Sequence, residues 1–233
     1  MKIKHVTVTG ADDRTSIRRL LALSQDHPSI EWGILVSRDM GGQKRFPSIE
    51  WITSFLESCS SHATSLHICG SWLLDVCRGN PSIFESLPSW SIGSASRIQF
   101  NLAHQLHKVS SSSFFVVLAD FGFQNKSLIF QLDGSNMSLV DHAIEAGFSA
   151  FPFYDCSRGN GVVPDSWPKP RKEFSGYAGG LSPKNVKDQL KKIEDVVGDA
   201  EIWIDVESGV RDDKDQFSLK LAEQFVSECR DWI

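Results

Sequence analysis

Two glycine-bearing turns in the last quarter of the chain carry groups that bind a phosphate. Gly179 and Gly180 follow one short apolar segment, and Ser208 and Gly209 follow the next. Because glycine has no Cβ, its backbone N–H groups can approach an anion closely. Ser208 adds a hydroxyl donor. The two turns predict a site for one phosphate group.

A helix N-terminus is predicted directly after the first turn. Ser182 fits an N-cap and Pro183 fits the first helical position. The unpaired N–H groups and positive dipole end of such a terminus attract anions. An ordinary strand-to-helix connection that binds nothing is the alternative. Two successive turns favour phosphate binding over this alternative, because barrels often hold phosphate between the loops after their seventh and eighth strands.

Two aspartates at predicted strand ends are the candidates for proton transfer. Asp155 ends an apolar strand and precedes the glycine-bearing segment 156–161. A carboxyl group in a partly dry cleft can donate a proton near neutral pH. We therefore predict that Asp155 is an acid, with a turn cap as the alternative. Asp205 ends the last predicted strand, where it is either catalytic or holds the adjacent Ser-Gly turn in place.

Other polar residues also fall at predicted strand ends. Arg38 and Arg45 lie in one loop and are expected to bind a substrate carboxylate, because a planar guanidinium pairs well with that group. Simple solvation of the two side chains is the alternative. His67 lies in an apolar strand and is either a core histidine or a catalytic base. The remaining members of this set are Thr9, Asn101, Gln131 and Asp133.

The five cysteines show neither C-x-x-C pairing nor zinc-ligand spacing. Only Cys156, beside Asp155, is a candidate for a functional thiol, and the others are expected to be reduced and buried. No G-x-G-x-x-G motif, P-loop or cluster of metal ligands is present in the sequence. We therefore expect neither a cofactor nor a metal.

Length and composition indicate a globular protein of one domain. The chain has 233 residues, 41% hydrophobic and 23% charged, which is enough for a sizeable core. A net charge of -5 argues against a broad nucleic-acid or membrane surface. No apolar run reaches the roughly 18 residues that a membrane span requires. We expect a cytoplasmic monomer or homodimer whose partner is a phosphorylated small molecule.

Strand and helix patterns alternate along the chain, which is typical of a parallel sheet. Periodicity does not decide between strand and helix for 110–120, and helix is favoured because 128–132 then supplies the fifth strand. The prediction is a (β/α)8 barrel over residues 1–233, with an open doubly wound sheet as the alternative. Strands are predicted at 4–10, 30–37, 65–69, 97–102, 128–132, 150–154, 176–178 and 202–206, and helices at 14–26, after Ser48, from Gly70, at 81–90, 110–120, 138–146, from Ser182 and at 213–229.

Several segments resemble the phosphoribosylanthranilate isomerase family. Y-A-G-G-L-S-P-K-N-V from Tyr177 and I-D-V-E-S-G-V-R from Ile204 are similar to that family's A-G-G-L-x-P-x-N-V and V-D-V-S-S-G-V-E. Weaker similarities are K-R-F-P-S from Lys44 and D-C-S-R-G-N-G-V-V-P-D-S-W from Asp155. Since the order of the matches is preserved, the resemblance covers the whole predicted barrel.

The resemblance implies an Amadori rearrangement. In that family an acid opens the ribose ring of an N-linked aminoaldose, and a base then removes the C2 proton to give an aminoketose. By resemblance Asp155 is the general acid and Arg45 meets the anthranilate carboxylate. The phosphate would be held by Gly179, Gly180, Ser208 and Gly209.

The sequence departs from the family pattern in the first strand and around the phosphate turn. Thr9 stands where the family has its catalytic cysteine. A threonine hydroxyl is too weak an acid to serve as a base at neutral pH, whereas a thiol is readily tuned into that range. Glu207 and Arg211 replace a serine and a glutamate of the family motif.

Two functions therefore stay open. The first is an isomerase acting on a phosphorylated aminosugar compound, with Cys156, Asp205 or His67 as the substitute base. The second is a diverged barrel that binds a phosphorylated ligand with a different activity or none. Thr9 remains among the candidate catalytic residues because of its position.

Overall fold

Eight parallel strands close into a barrel. The computed structural model describes residues 1–59, 62–87, 93–102, 111–132, 138–155, 157, 160–171 and 174–233. Each strand pairs with the next, and the last pairs with the first, so the predicted barrel is confirmed and an open sheet is excluded. The strands are β1 Lys2–Thr9, β2 Ile30–Val36, β3 Thr64–Ile68, β4 Arg97–Phe100, β5 Ser127–Leu132, β6 Ser149–Asp155, β7 Ser175–Ala178 and β8 Glu201–Val206.

Helices cover the outside of the barrel. Segment 111–120 is helical, as predicted, and the Ser48 hydroxyl caps the second helix by accepting a hydrogen bond from the Trp51 N–H at 3.2 Å. No helix in the described ranges has both the length and the apolar composition needed to cross a bilayer. The described helices are α1 Ile17–Asp26, α2 Ile49–Ser58, α3 Gly70–Cys77, α4 Ser82–Ser86, α5 Ser111–Asp120, α6 Ser138–Glu145, α7 Val186–Val197 and α8 Leu219–Glu228.

The helix predicted directly after the Gly-Gly turn begins later, so that prediction is wrong. α7 begins at Val186, and Asn185 rather than Ser182 precedes it as the N-cap residue. The Ser182 N–H donates to Asn185 Oδ1 at 2.8 Å, and Asn185 Nδ2 donates to the Gly180 carbonyl at 2.9 Å. This side chain closes residues 180–185 into a turn, and the expected helix N-terminus does not lie beside Gly180.

Two further helix starts were predicted too early. α1 begins at Ile17 instead of residue 14, because Asp13 Oδ1 accepts hydrogen bonds from the N–H and hydroxyl of Ser48 and does not cap the helix. α8 begins at Leu219 instead of residue 213, with Ser218 as its N-cap. The intervening segment is held by a β-bridge and cannot continue a helix.

The apolar core has an outer and an inner part. The outer part lies between strands and helices, and α7 contributes Val186, Leu190, Ile193 and Val197 to it at helical spacing. Every residue of β2 is buried, because both faces of a barrel strand are covered. The inner part inside the barrel is a small cluster of Ile129, Phe153 and Trp203.

A charged pair lies at the centre of the barrel. Arg97 Nε donates to Glu31 Oε2 at 2.7 Å, its Nη2 bonds the other carboxylate oxygen, and the guanidinium lies 4.4 Å from the Trp203 ring centroid. Burial alone would raise the pKa of Glu31, but the charge and hydrogen bonds of Arg97 bring that pKa below its ordinary value. Barrel interiors are usually filled by branched aliphatic side chains. This barrel instead holds a buried ion pair beside its small apolar cluster.

We predict that this pair is a strong determinant of stability. Glu31→Leu leaves the Arg97 charge buried without its partner and should lower the free energy of unfolding by about 3–5 kcal/mol, measured by urea denaturation at pH 7. The double variant Glu31→Leu/Arg97→Met should recover most of that loss. Glu201→Leu, which breaks the exposed pair with Lys4, is the control and should cost less than about 1 kcal/mol. Equal losses in the buried and exposed variants would contradict the prediction.

Candidate functional site

A cavity opens at the carboxyl ends of the strands, the end at which barrel enzymes carry their active sites. It encloses about 70 Å³ and opens to solvent. Its described lining comes from β3 to β8 and from the loops after β6, β7 and β8. The lining includes nine of the candidate site residues predicted from the sequence, namely His67, Asn101, Gln131, Asp155, Gly179, Gly180, Asp205, Ser208 and Gly209.

The two glycine-bearing turns lie side by side in this cavity. A Cβ on Gly209 would be 2.1 Å from the Leu181 carbonyl oxygen, so only glycine allows this approach. Gly180 has a φ of 60°, and a Cβ there would be 2.5 Å from the Val163 backbone nitrogen. The loops after β6, β7 and β8 are therefore in direct contact.

Donor groups of both turns are available to a ligand. Within the described residues, the Gly179 and Gly180 N–H groups donate to no backbone acceptor. The Ser208 hydroxyl accepts a hydrogen bond from Arg45 Nη1 at 3.3 Å and keeps its own proton to donate. The turns thus present backbone and hydroxyl donors on one side of the cavity, which is the chemistry that an anion needs.

The Asp155 carboxylate is held as a hydrogen-bond acceptor. Its Oδ2 accepts from Gln131 Nε2 at 2.8 Å, and its Oδ1 accepts from the Ser157 N–H at 3.1 Å and the Ser157 hydroxyl at 2.6 Å. A Cβ on Gly179 would be 3.8 Å from Asp155 Oδ1, so the carboxylate lies next to the first glycine turn. These donors fix the orientation of Asp155 at the end of β6.

The Asp205 carboxyl group lies deeper, at the end of β8. Its Oδ1 accepts a hydrogen bond from the Thr9 hydroxyl at 2.7 Å, and the residue is buried, with 8% of its surface exposed, where it lines the cavity. Burial raises the pKa of Asp205 well above its usual range; the Thr9 hydroxyl opposes this shift, and the negative charges of Glu207 and Asp155 add to it. The site therefore contains two carboxyl groups in different environments.

His67 lines the same cavity from β3. A Cβ on Gly33 would be 2.1 Å from Thr9 Oγ1 and 2.8 Å from His67 Cε1. A larger residue at position 33 would therefore clash with both side chains. Burial lowers the pKa of His67 to about 3, and the imidazole is therefore neutral at pH 7. Its Nδ1 is 3.3 Å from Gln99 Nε2.

Arg45 is paired with protein carboxylates instead of lying open to a substrate carboxylate. Its Nη1 donates to Glu207 Oε1 at 2.8 Å, and its Nη2 donates to Asp215 Oδ1 at 2.9 Å. Arg45 and Asp215 both have positive φ values, 73° and 56°, which are uncommon for residues with a side chain. The ion pairs hold this unusual backbone in place at the rim of the second turn.

Arg211 connects this ion-pair group to the first strand. Its Nη1 donates to the Gly10 carbonyl at 2.6 Å, and its Nε donates to Asp215 Oδ1 at 2.6 Å. Asp12 Oδ2 lies 3.6 Å from Arg211 Nη2. The cluster thus contains two cations and three anions, and Arg211 fixes the loop after β8 against the end of β1.

The structure does not bring every predicted residue to the cavity. Arg38 bonds Asp75 and Ser82 and lies 5.8 Å from the Trp72 ring centroid, so it is not part of the described lining. Cys156 and Asp133 lie outside the described residues. No group of three or more potential metal ligands occurs in the described ranges.

Two features of the site were not predicted from the sequence. Gln99 lines the cavity between Arg97 and Asn101, and these three polar residues alternate with apolar ones in R-I-Q-F-N. That alternation was the available signal, because side chains at every second position of a strand face one side. The pairing of Arg45 with Glu207 had no local signal, since the two residues are 162 positions apart.

We predict that His67 makes the protein less stable as the pH falls. The folded pKa of about 3 lies below the ordinary 6.5, so below pH 6.5 the unfolded chain binds a proton that the folded protein does not. The free energy of unfolding is measured by urea denaturation between pH 6.5 and 4.5. For wild type it should fall by up to about 1.4 kcal/mol per pH unit more than for His67→Asn. The exposed His142→Asn is the control and should follow wild type. The same dependence of the free energy of unfolding on pH in wild type and in His67→Asn would contradict this prediction.

Comparison with solved structures finds barrels that match nearly the whole chain. TrpF from Jonesia denitrificans is 17% identical, with a TM-score of 0.63 over 97% of this chain and 96% of that one. N-(5'-phosphoribosyl)anthranilate isomerase from Pyrococcus furiosus is 17% identical, with a TM-score of 0.56 over 97% and 98%. The truncated 3-deoxy-D-arabino-heptulosonate 7-phosphate synthase from Thermotoga maritima is 10% identical, with a TM-score of 0.56 over 98% and 86%.

These similarities establish the fold. No protein-family model and no curated protein matches the chain. An isomerase and a synthase match at the same TM-score, so structural similarity alone does not select a reaction. The chain is a (β/α)8 barrel similar to phosphoribosylanthranilate isomerases over nearly its full length.

Proposed function

We propose that the protein is an isomerase that moves a proton within a phosphorylated aminosugar compound, with Asp155 and Asp205 as its acid–base pair. The observation that carries this proposal is that two carboxyl groups in different environments share one cavity with the two glycine-bearing turns. Acid–base catalysis of this kind needs a proton donor and a proton acceptor that reach the same substrate.

Asp205 is the proposed acid. Burial raises its pKa well above the usual range, which favours the protonated form, and the Thr9 hydroxyl donates to Oδ1, which leaves Oδ2 to carry the proton. Donation of that proton to the ring oxygen of an N-linked aminoaldose would open the ring. This assignment differs from the sequence-based one, in which Asp155 is the acid.

Asp155 is the proposed base. Its oxygens accept hydrogen bonds from Gln131 and Ser157, which orients the carboxylate toward the cavity side of β6. Removal of the C2 proton by this carboxylate gives an enolamine, which becomes the aminoketose when C1 is protonated. Cys69 is not a candidate, because burial raises the pKa of its thiol to about 12. Thr9 acts by positioning Asp205.

The phosphate group is proposed to bind at Gly179, Gly180, Ser208 and Gly209. The contact between their loops and the N–H groups of the first turn support this position. Arg45 lies at the rim of the second turn and adds a cation. The distance between the turns and Asp155 is short, so a bound phosphate and the reacting carbons would belong to one small molecule.

A second candidate function is favoured by Glu207. This carboxylate lies in the lining of the cavity next to Ser208, where it repels an incoming anion. Thr9 also replaces the cysteine of the family that the sequence resembles. The second candidate is therefore a diverged barrel that binds a phosphorylated ligand with a different activity or none.

We predict that the protein exchanges the C2 proton of a suitable sugar phosphate with solvent. N-(5'-phosphoribosyl)anthranilate and ribose 5-phosphate are incubated with the protein in D₂O, and deuterium at C2 of the aldose and at C1 of the ketose is measured by mass spectrometry. Asp155→Asn and Asp205→Asn should each lower the exchange rate by about 10²-fold or more, because acid–base groups contribute on that scale.

Glu201→Gln is the matched control for the exchange experiment. Glu201 is exposed at the opposite end of the barrel, so its substitution should leave the rate unchanged. Exchange that persists in both aspartate variants would overturn the proposed roles. Phosphate binding without exchange of either compound would favour the second candidate function.

We predict that Glu207 weakens anion binding. Glu207→Ser removes the carboxylate and frees Arg45 Nη1, while Asp215 still holds Arg45 Nη2. The affinity for inorganic phosphate should rise about 10-fold, measured from the shift of the melting midpoint with phosphate at constant ionic strength. Glu201→Ser is the control. An unchanged affinity in Glu207→Ser would place the anion elsewhere.

A further inference from the structure

A chain of hydrogen bonds runs along one wall of the cavity, from the end of β3 to the end of β4. Asn101 Nδ2 donates to Cys69 Sγ at 3.2 Å, and Gln99 Nε2 donates to Asn101 Oδ1 at 2.9 Å. Gln99 Nε2 also lies 3.3 Å from His67 Nδ1. Three of these side chains, those of His67, Gln99 and Asn101, line the cavity. We call them the amide wall.

The chain determines which ring nitrogen of His67 carries the proton. An amide nitrogen only donates, so Gln99 Nε2 donates to Nδ1, and the proton of the neutral imidazole is on Nε2. His67 is 1% exposed, and its Nε2 has no hydrogen-bond partner in the described part of the chain. Buried polar atoms without partners are rare and costly. This donor is therefore built to meet a group that the protein does not supply.

Gln99 offers the complementary acceptor. Both hydrogens of its amide nitrogen are directed to His67 Nδ1 and Asn101 Oδ1, and its Oε1 accepts no hydrogen bond from the described residues. The amide wall therefore has a donor on His67 and an acceptor on Gln99, next to each other on neighbouring strands. A hydroxyl group donates and accepts at the same time and matches both.

An aromatic ring fits this wall poorly. A ring placed against the amide wall would leave the His67 donor and the Gln99 acceptor without partners. Sites that hydrogen-bond a substrate hydroxyl discriminate strongly against analogues that lack it.

We propose that the amide wall of His67, Gln99 and Asn101 binds a polyhydroxylated, non-aromatic part of the ligand. This inference rests on the proposed function for the phosphate in the same cavity, and it names the substrate class for that site. The ligand is thus a phosphorylated sugar or polyol derivative whose hydroxyl groups meet His67 Nε2 and Gln99 Oε1. A phosphorylated compound that presents an aryl group to this wall is a poor ligand.

The test compares two phosphate esters of different chemistry. Glucitol 6-phosphate carries a polyhydroxylated chain, and 2-phenylethyl phosphate carries an aromatic ring with the same anionic group. Dissociation constants of the wild-type protein for both, and for inorganic phosphate, are measured by calorimetry. We expect glucitol 6-phosphate to bind at least about 10-fold more tightly than 2-phenylethyl phosphate.

Variants of the wall separate its role from that of the phosphate turns. Gln99→Met keeps the side-chain length and removes the amide, and Asn101→Leu does the same at a less buried position. Each should reduce the preference for glucitol 6-phosphate to less than about 3-fold while leaving inorganic phosphate binding unchanged. The exposed Gln124→Met is the matched control and should keep the full preference.

The outcomes distinguish this inference from the proposed function. Equal or tighter binding of 2-phenylethyl phosphate, with inorganic phosphate still bound, would overturn the inference and leave the phosphate site standing. A preference for glucitol 6-phosphate that survives in both wall variants would also overturn it. Absence of binding of all three compounds would overturn the inference together with the proposed phosphate site.

Discussion

Closure of the barrel between β1 and β8 is the constraint on which the candidate site depends. Thr9 and Asp205 are 196 positions apart in the chain, yet the parallel pairing of these two strands brings their side chains to 2.7 Å. Arg211 is joined to the Gly10 carbonyl by the same closure. A sheet left open at this edge would expose Asp205 to water. Its carboxyl group would then lose the burial that raises its pKa.

The buried ion pair inside the barrel supports this arrangement from below. Glu31 and Arg97 neutralise each other at the centre of the barrel, and Trp203 covers the guanidinium. His67 lies on the next strand above this pair and is neutral, so it adds no charge near Asp205. Desolvation and the nearby carboxylates therefore raise the pKa of Asp205. Among the described residues, no cation at hydrogen-bond distance opposes this shift. The result is one buried carboxyl group with a raised pKa, in the same cavity as the neutral side chains of His67, Gln99 and Asn101.

The fold was predictable from the sequence because its signals are local. Apolar strands, capped helices and glycine turns each follow from a few neighbouring residues, and residues 111–120 were assigned to a helix by the strand that follows them. Features that depend on distant partners were missed. Glu31 and Arg97 are 66 positions apart, and Arg45 and Glu207 are 162 positions apart. The start of α1 was misjudged for the same reason, because Asp13 is engaged by Ser48.

Charge balance around the second turn determines how a phosphate can bind. Arg45 and Arg211 face Glu207, Asp215 and Asp12, so this cluster has one more negative than positive charge before any ligand arrives. Backbone N–H groups are neutral donors and cannot compensate a dianion by charge. Arg45 is the only cation of the cluster that also contacts Ser208, so an incoming phosphate must compete with Glu207 for it. At the proposed phosphate site, the anion affinity therefore depends on this partly exposed ion pair, which salt and substitution can both weaken.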